Sequence, residues 1–430
     1  MIKNYTHFYI FVLILSVCCS SEAYAYLDPG TGSMLLSAVI ALIAAVFYFA
    51  KNIFYEFAAL FAGLFGVRIG RSTKHSIVFY SEGKQYWNTF KPVIEALNKR
   101  GVKLTYMSSD EEDEGLFSQS PNVDTLFIGK GNKAYSILNS LESKICIMTT
   151  PCLDVLQIRR SKGVRHYGHI LHAAGGASYP LYSFDYYDSV FCTGDHQISF
   201  IRELESLRGT KPKQLFSTGA TFIDVLAEKQ AAAKPRLTNK ACSVLIAPSW
   251  GPNCLLQLFG TKLIKPILDS GFDVVIRPHP QSFVVERKMI EAIQRDLRDY
   301  KNLSWDISPD GFDALYDSDL MISDFSGIIF DYVFVFGNPI ITIKFEMDKT
   351  GTEAQELKDE LWELDMLNNI GRIIDPSQIN QLPKIIDDIF DNNDVRTPFT
   401  KLREKHLFNF RSSGEVAAKQ ILGILDELGG

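Results

Sequence analysis

From residue 76 onward, short apolar runs alternate with amphipathic stretches, and the series occurs twice. The first comprises Ile77–Tyr80, a helical stretch from about Gln85 to Arg100 closed by Gly101, then Val102–Met107 and Thr125–Ile128, a helical stretch over Lys133–Ser143, and finally Ile145–Met148 and Val190–Cys192. Strands that read as continuous apolar runs and are separated by helix-length segments pair in parallel, because a parallel neighbour is reached only through a crossover. Residues 230–241 (QAAAKPRLTNKA) are polar, contain Pro235 and lack periodicity, as expected of a linker. A second series follows, with Val244–Ala247, Val274–Ile276, Leu303–Trp305, Leu320–Ser323 and Ile340–Ile343 as strands, 283–298 as helix and 377–428 as terminal helices. The expected fold class is α/β, with two Rossmann-like doubly wound lobes, 72–230 and 242–430, the second including the C-terminal helices. In such sheets ligands sit beyond the carboxyl ends of the strands, so polar residues there carry the functional question.

Composition narrows that question. Of 430 residues, 46% are hydrophobic and 22% charged, which supplies core material for two lobes. A net charge of −6, with no zinc-type Cys/His spacing and no basic-aromatic repeat, argues against a nucleic-acid partner. Seven cysteines, two of them in the N-terminal apolar segment, leave five scattered ones that read as reduced core thiols.

The N-terminus reads as an address. Lys3, the charge-free run Phe8–Cys19 and Ala23-Tyr24-Ala25 resemble a secretory signal or a first membrane segment over residues 1–25. Residues 26–70 read as a transmembrane and interfacial region, with Met34–Ala50 close to the length of a span and Ile53–Val67 interfacial or re-entrant. Lys51, Arg68, Arg71 and Lys74 all follow that span, so the positive-inside rule puts the remaining chain on the cytoplasmic side.

Three constellations could carry chemistry. The strand Asp273–Ile276 runs into Arg277-Pro278-His279-Pro280, where two prolines end the ladder and hold a cation and an imidazole at its carboxyl end. Arginine offers a planar fork to phosphate oxygens, though a turn in which Arg277 pairs with a carboxylate is the alternative. Leu320–Ser323 leads through Asp324, Ser326 and Gly327 into a helix from Ile328, whose first-turn N–H groups suit an anion. Ser323 or Asp324 is the expected cap, and Asp331 lies a turn inside. Gln157–His172 (QIRRSKGVRHYGHILH) gathers Arg159, Arg160, Lys162 and Arg165 without an acidic residue, suiting an anionic acceptor or lipid headgroup or else only a solvated loop. Its histidines, His166, His169 and His172, lack a thiolate or carboxylate to complete a metal set, so a general base is the better use for one. The acidic run Ser108–Gly115 reads as a solvated loop. No cofactor or metal is expected.

Taken in order, Ile170-Leu171-His172, Phe191-Cys192-Thr193-Gly194, Ser217-Thr218-Gly219, Leu245–Trp250, Arg277–Pro280 and Ser323–Gly327 with Phe330-Asp331-Tyr332 resemble the CDP-glycerol glycerophosphotransferase family of teichoic-acid-type enzymes. The resemblance spans roughly residues 165–345. It implies a GT-B arrangement, His172 as base, His279 as a second catalytic histidine, and Arg277, Ser323, Asp324, Ser326 and Gly327 around the donor phosphates. It further implies a bacterial inner-membrane enzyme that moves glycerol phosphate from CDP-glycerol, or a related polyol phosphate from its nucleotide donor, to a lipid-linked cell-envelope acceptor. Two other readings remain open, a GT-B glycosyltransferase using a nucleotide sugar and a non-catalytic nucleotide-binding membrane protein. The chain departs from the family at Leu171-His172-Ala173, where Trp-His-Gly is usual, and at Gly251, where an arginine is usual.

Overall fold

The computed structural model describes residues 73–429 except 177, 236–241, 309–310, 346, 359–360 and 392–398. The signal-like and transmembrane segments expected over residues 1–70 lie outside the described residues. No described helix is long and apolar enough to cross a membrane.

Thirteen described strands form two sheets, and every neighbouring pair is parallel. The first sheet contains β1 (Ile77–Ser81), β2 (Leu104–Ser108), β3 (Val123–Phe127), β4 (Ser143–Met148), β5 (Val164–Ile170), β6 (Ser189–Cys192) and β7 (Gln214–Ser217) in the order 3-2-1-4-5-6-7. The second contains β8 (Ser243–Ile246), β9 (Asp273–Ile276), β10 (Leu303–Trp305), β11 (Leu320–Ser323), β12 (Ile340–Ile343) and β13 (Gly371–Ile374) in the order 10-9-8-11-12-13. β1 is buried at all five positions and β11 at all four, as apolar runs covered on both faces must be.

The strands β5, β7 and β13 were not anticipated. β5 carries Arg165, His166 and His169, so it shows no apolar run; Val164, His166, Gly168 and Ile170 lie on one face and alternate with Arg165, Tyr167 and His169 on the other. The helix Thr221–Ala232 extends into the segment read as a linker. The acidic run 108–115 is not wholly solvated. Asp113 is buried, accepting from the Tyr106 hydroxyl at 2.8 Å, Ser108 Oγ at 2.7 Å and the Gly115 N–H at 2.9 Å. The described cysteines are all free thiols, and four of the five are buried.

The last helix, Ser413–Glu427, follows the second lobe in sequence but packs on the first. Ala417, Ala418, Ile421 and Ile424 join Ile77, Phe79, Phe90 and Phe191 in one buried cluster. The chain reaches that position across Thr193-Gly194 and Ser217-Thr218-Gly219. The Phe408 N–H donates to the Thr193 carbonyl at 2.8 Å, Asn409 Nδ2 donates to the Ser217 and Thr218 carbonyls, and the Asp224 carboxylate accepts from the N–H groups of Arg411 and Ser413. A side chain on Gly194 would collide with the His406 carbonyl, and one on Gly219 with the Phe408 carbonyl and Ser413. Gly219 also sits at φ +102°, a conformation L-residues avoid. Gly219→Ala is therefore expected to destabilise by at least about 1–3 kcal/mol, read as a lowered midpoint in chemical denaturation. A variant with an unchanged midpoint would show that the crossing chain yields to a side chain there.

Candidate functional site

β5 delivers His172. The chain leaves the strand at Leu171, so the imidazole stands half-buried at the carboxyl rim of the first sheet. Tyr86 meets it edge-on at 4.9 Å between ring centroids and Tyr179 at 5.3 Å. The Tyr179 hydroxyl lies 3.1 Å from Nδ1 and accepts the His172 backbone N–H at 3.5 Å. Desolvation in this aromatic setting pulls the His172 pKa down to about 4, so the imidazole is neutral at physiological pH. His169 is wholly buried among the rings of Tyr179, Phe184 and Tyr187, with its pKa drawn to about 3 by burial. His166 bonds Ser189 Oγ at 2.9 Å. The three histidines do not converge, and the described residues contain no group of three or more His, Cys, Asp and Glu that could hold a metal.

The basic residues lie elsewhere. Arg159, Arg160, Lys162 and Arg165 precede or begin β5, so they occupy its amino edge, about 20 Å along the strand from His172. Arg159 donates to the Asp154 carbonyl at 2.6 Å and Arg160 pairs with Asp188 at 2.8 Å. Arg165 donates to the Leu428 carbonyl at 2.8 Å, and Lys162 is exposed. The three arginines fasten the lobe, and none of the four basic residues shares a rim with the imidazole.

In the second lobe the strand-end residues divide. Ser323 Oγ donates to the Ala247 carbonyl at 2.6 Å, while the buried Asp324 carboxylate accepts from the N–H groups of Ser249 at 2.8 Å and Leu255 at 3.0 Å. Both hold the loop after β8, and neither caps the following helix. Phe325 and Ser326 intervene, and the helix Ile328–Phe336 starts from Gly327 with no side-chain cap. Gly327 is exposed, with open space where a side chain would project.

That uncapped turn meets the first lobe. Phe325, Ser326 and Gly327 share a small pocket with Ala173 and Gly175 from the loop after His172, and Glu363 completes it. The loop is held rigidly. Gln197, fully buried, donates from Nε2 to the carbonyls of Ala173 at 3.0 Å, Ala174 at 3.0 Å and Gly175 at 2.7 Å, and its Oε1 accepts the Thr193 N–H. The Glu363 carboxylate accepts the Gly176 N–H at 2.7 Å. Gln197 and Glu363 act on backbone, and Tyr179 on an imidazole, that only the fold brings to them, so none carries a local sequence signal.

Arg277 and His279 also sit on a carboxyl rim, that of β9, but outside this pocket. Arg277 Nη1 is committed to Asp306 at 2.5 Å and to the Ser308 carbonyl at 2.9 Å, the carboxylate-paired turn that was the alternative for this motif. His279 Nδ1 accepts the Gln281 N–H at 3.2 Å, which leaves the proton of a neutral ring on Nε2 as a donor. Trp250 lies beside it in stacked orientation, centroids 6.1 Å apart. Beyond β11 and β12 a cavity of about 430 Å³ is lined by Asn253, Leu255, Asp324, Lys344 and Phe345 among others. In the first lobe a polar hollow of about 330 Å³, lined by Tyr80, Glu82, Gln85, Ser109, Lys130 and Tyr135, lies beyond β1 to β3.

Two parallel α/β lobes, with the site residues on facing carboxyl rims and the last helix returned to the first lobe, define a GT-B-like architecture. The family model for CDP-glycerol:poly(glycerophosphate) glycerophosphotransferase matches residues 72–359, more than half of the chain. The chain belongs to this family and is a CDP-glycerol glycerophosphotransferase-like enzyme. Among solved structures it is similar to a variant of the wall teichoic acid polymerase TagF soaked with CDPG, with TM-score 0.56 and 15% identity over 90% of this chain and 98% of that one. It is also similar to a UDP-N-acetylglucosamine 2-epimerase, with TM-score 0.53 and 12% identity over 82% of this chain and 96% of that one. A UDP-GlcNAc 2-epimerase from Methanocaldococcus jannaschii gives TM-score 0.50 and 13% identity over 82% and 99%. No curated protein matches the sequence.

Asp331, half-buried in the 328–336 helix, provides a test of the local electrostatics. Desolvation raises its pKa to about 7. A carboxyl with a raised folded-state pKa contributes stability that is complete below the unfolded value near 4 and is lost as pH rises through about 7. Asp331→Asn is expected to melt above wild type at pH 8, with the difference vanishing toward pH 4. Equal melting curves at pH 8 would show that the charged form is solvated.

Proposed function

We propose that the enzyme transfers glycerol phosphate, or a related polyol phosphate, from a CDP-activated donor to a hydroxyl of a lipid-linked cell-envelope acceptor, working at the inner face of the bacterial cytoplasmic membrane. The observation that carries this reading is the approach of the uncapped turn at Ser326 and Gly327 to the loop following His172, across a crevice of about 30 Å³. An imidazole that is neutral above pH 4 and an anion-favouring helix start lie on facing rims, which matches what phosphoryl transfer requires, positioning plus charge stabilisation.

In this reading His172 Nδ1–H donates to the Tyr179 oxygen, leaving the Nε2 lone pair to take the proton of the acceptor hydroxyl. The acceptor oxygen forms a bond to the donor's β-phosphorus as the bond to the CMP oxygen breaks. The helix start at Ser326 and Gly327 and the Nε2–H of His279 stabilise charge on the phosphates. Arg277 supports them from its ion pair with Asp306, which fixes the turn carrying His279. Ser323 and Asp324 act at one remove, by shaping the loop after β8. The cavity beyond β11 and β12 suits the nucleotide, and the hollow beyond β1 to β3, beside Tyr86, suits the acceptor. The likeness to a TagF variant soaked with CDPG supports the donor class.

The test is product analysis with the full chain in detergent or vesicles. CDP-glycerol is expected to yield CMP with glycerol phosphate transferred or released. Release of a sugar from a UDP-sugar, with CDP-glycerol untouched, would overturn the donor class. His172→Ala is expected to lose about 100-fold or more in kcat, and the acid limb of kcat/KM in wild type should fall near pH 4 to 5, well below an ordinary histidine. Near-normal turnover by folded His172→Ala would remove the residue from the base role.

A further inference from the structure

Among the described residues one side chain hydrogen-bonds the ring of the base candidate, and it belongs to a strap held by the opposite lobe. Tyr179 is buried, and its hydroxyl is 3.1 Å from His172 Nδ1. The imidazole also meets the ring of Tyr86, from the turn Lys84–Tyr86, and lies near the neutral core residue His169; among the described residues no carboxylate hydrogen-bonds it to fix its tautomer. From Tyr179 the backbone pairs with the second lobe. The Glu353 N–H donates to the Tyr179 carbonyl at 2.8 Å, Pro180 and Thr352 form an antiparallel bridge, and the Leu181 N–H donates to the Gly351 carbonyl at 3.0 Å.

The strap is then locked by charge. Glu353, with no exposed surface, accepts the Ser183 N–H on Oε1 at 2.8 Å and pairs through Oε2 with Arg208. Arg208, the last residue of the helix Asp195–Arg208, also holds Asp185 at 2.7 Å and Glu356 at 2.7 Å. One guanidinium thus ties two second-lobe carboxylates to a first-lobe helix and a first-lobe loop. Glu353 buried without these partners would be costly, so the strap's packing depends on the cluster.

We infer that Tyr179 is a positioning residue that holds His172 with Nε2 free for the acceptor, and that the 351–356 segment makes this orientation depend on contact between the lobes. The inference rests on His172 being the base. It deepens that reading by identifying what prepares the base: the acceptor-side imidazole is set only when the donor-side lobe is in place, so an enzyme with separated lobes would not activate water.

Tyr179→Phe keeps the ring contacts and removes only the hydroxyl. It is expected to lower kcat by about 10-fold to 100-fold with KM for CDP-glycerol within about twofold and the melting temperature close to wild type. The acid limb of kcat/KM should move to lower pH, because the imidazolium loses the acceptor for its Nδ1–H. A limb that moves upward would mean that the phenol donates to Nδ1, and would overturn the tautomer. Glu353→Gln, which sets an amide against Arg208, should lower kcat as well, and combined with Tyr179→Phe the losses should be less than multiplicative. Multiplicative losses would disconnect the strap from the base. Unchanged kcat in Tyr179→Phe beside an inactive His172→Ala would overturn the positioning role alone, whereas an active His172→Ala would remove the base reading itself.

Discussion

The crossing of the C-terminal chain back onto the first lobe is the constraint on which the arrangement depends. Residues 406–413 run through a channel whose walls are backbone, at Thr193, Gly194, Ser217, Thr218 and Gly219, and whose anchor is the Asp224 carboxylate. Asp224 is desolvated, which raises its pKa to about 6, and the two N–H donors it accepts partly offset that cost. Once the crossing is made, Ser413–Glu427 covers one face of the first sheet, and the helix Thr221–Ala232 is held where Phe222, Ile223 and Leu226 pack with Phe330, Tyr332 and Val333 of the second lobe. That packing sets the two carboxyl rims against one another.

The division of labour among polar residues follows from that geometry. A parallel sheet leaves its strand ends needing partners, and the residues closest to the strands are consumed in meeting that need. Ser323 and Asp324 hold the loop after β8, while Ser326 and Gly327, two residues further, are left facing the cleft. The same holds at β9, where Arg277 is occupied by Asp306 and His279 stands further out. In the first lobe His169 is core and His172 is rim.

Most of the architecture was legible because apolar runs such as Ile145–Met148 and Leu320–Ser323 have one physical explanation, burial on both faces. β5 was not, since its buried positions are filled by His166, Tyr167, Gly168 and His169, which satisfy a core without reading as one. The location of His172, Ser326 and Gly327 at strand ends could be read from spacing. The roles of Tyr179, Gln197 and Glu363 could not, because their partners are 7, 22 to 24 and 187 positions away, and a hydroxyl, an amide and a carboxylate leave no local pattern. The Arg159–Arg165 cluster shows the converse. It and His172 are close in sequence, but β5 lies between them and carries them to opposite edges of the sheet. Thr193-Gly194 and Ser217-Thr218-Gly219, which carry part of the family resemblance, form the floor of the crossing.

The returning helix has a consequence for the order in which the chain becomes itself during synthesis. Ile77, Phe79, Phe90 and Phe191 are made long before Ala417, Ile421 and Ile424, which complete their burial. At about 5–20 residues per second, translating from Ser217 to Ser413 takes on the order of 10 to 40 s, during which the first sheet has one apolar face uncovered on the ribosome. Burial of that face therefore waits on the helix Ser413–Glu427.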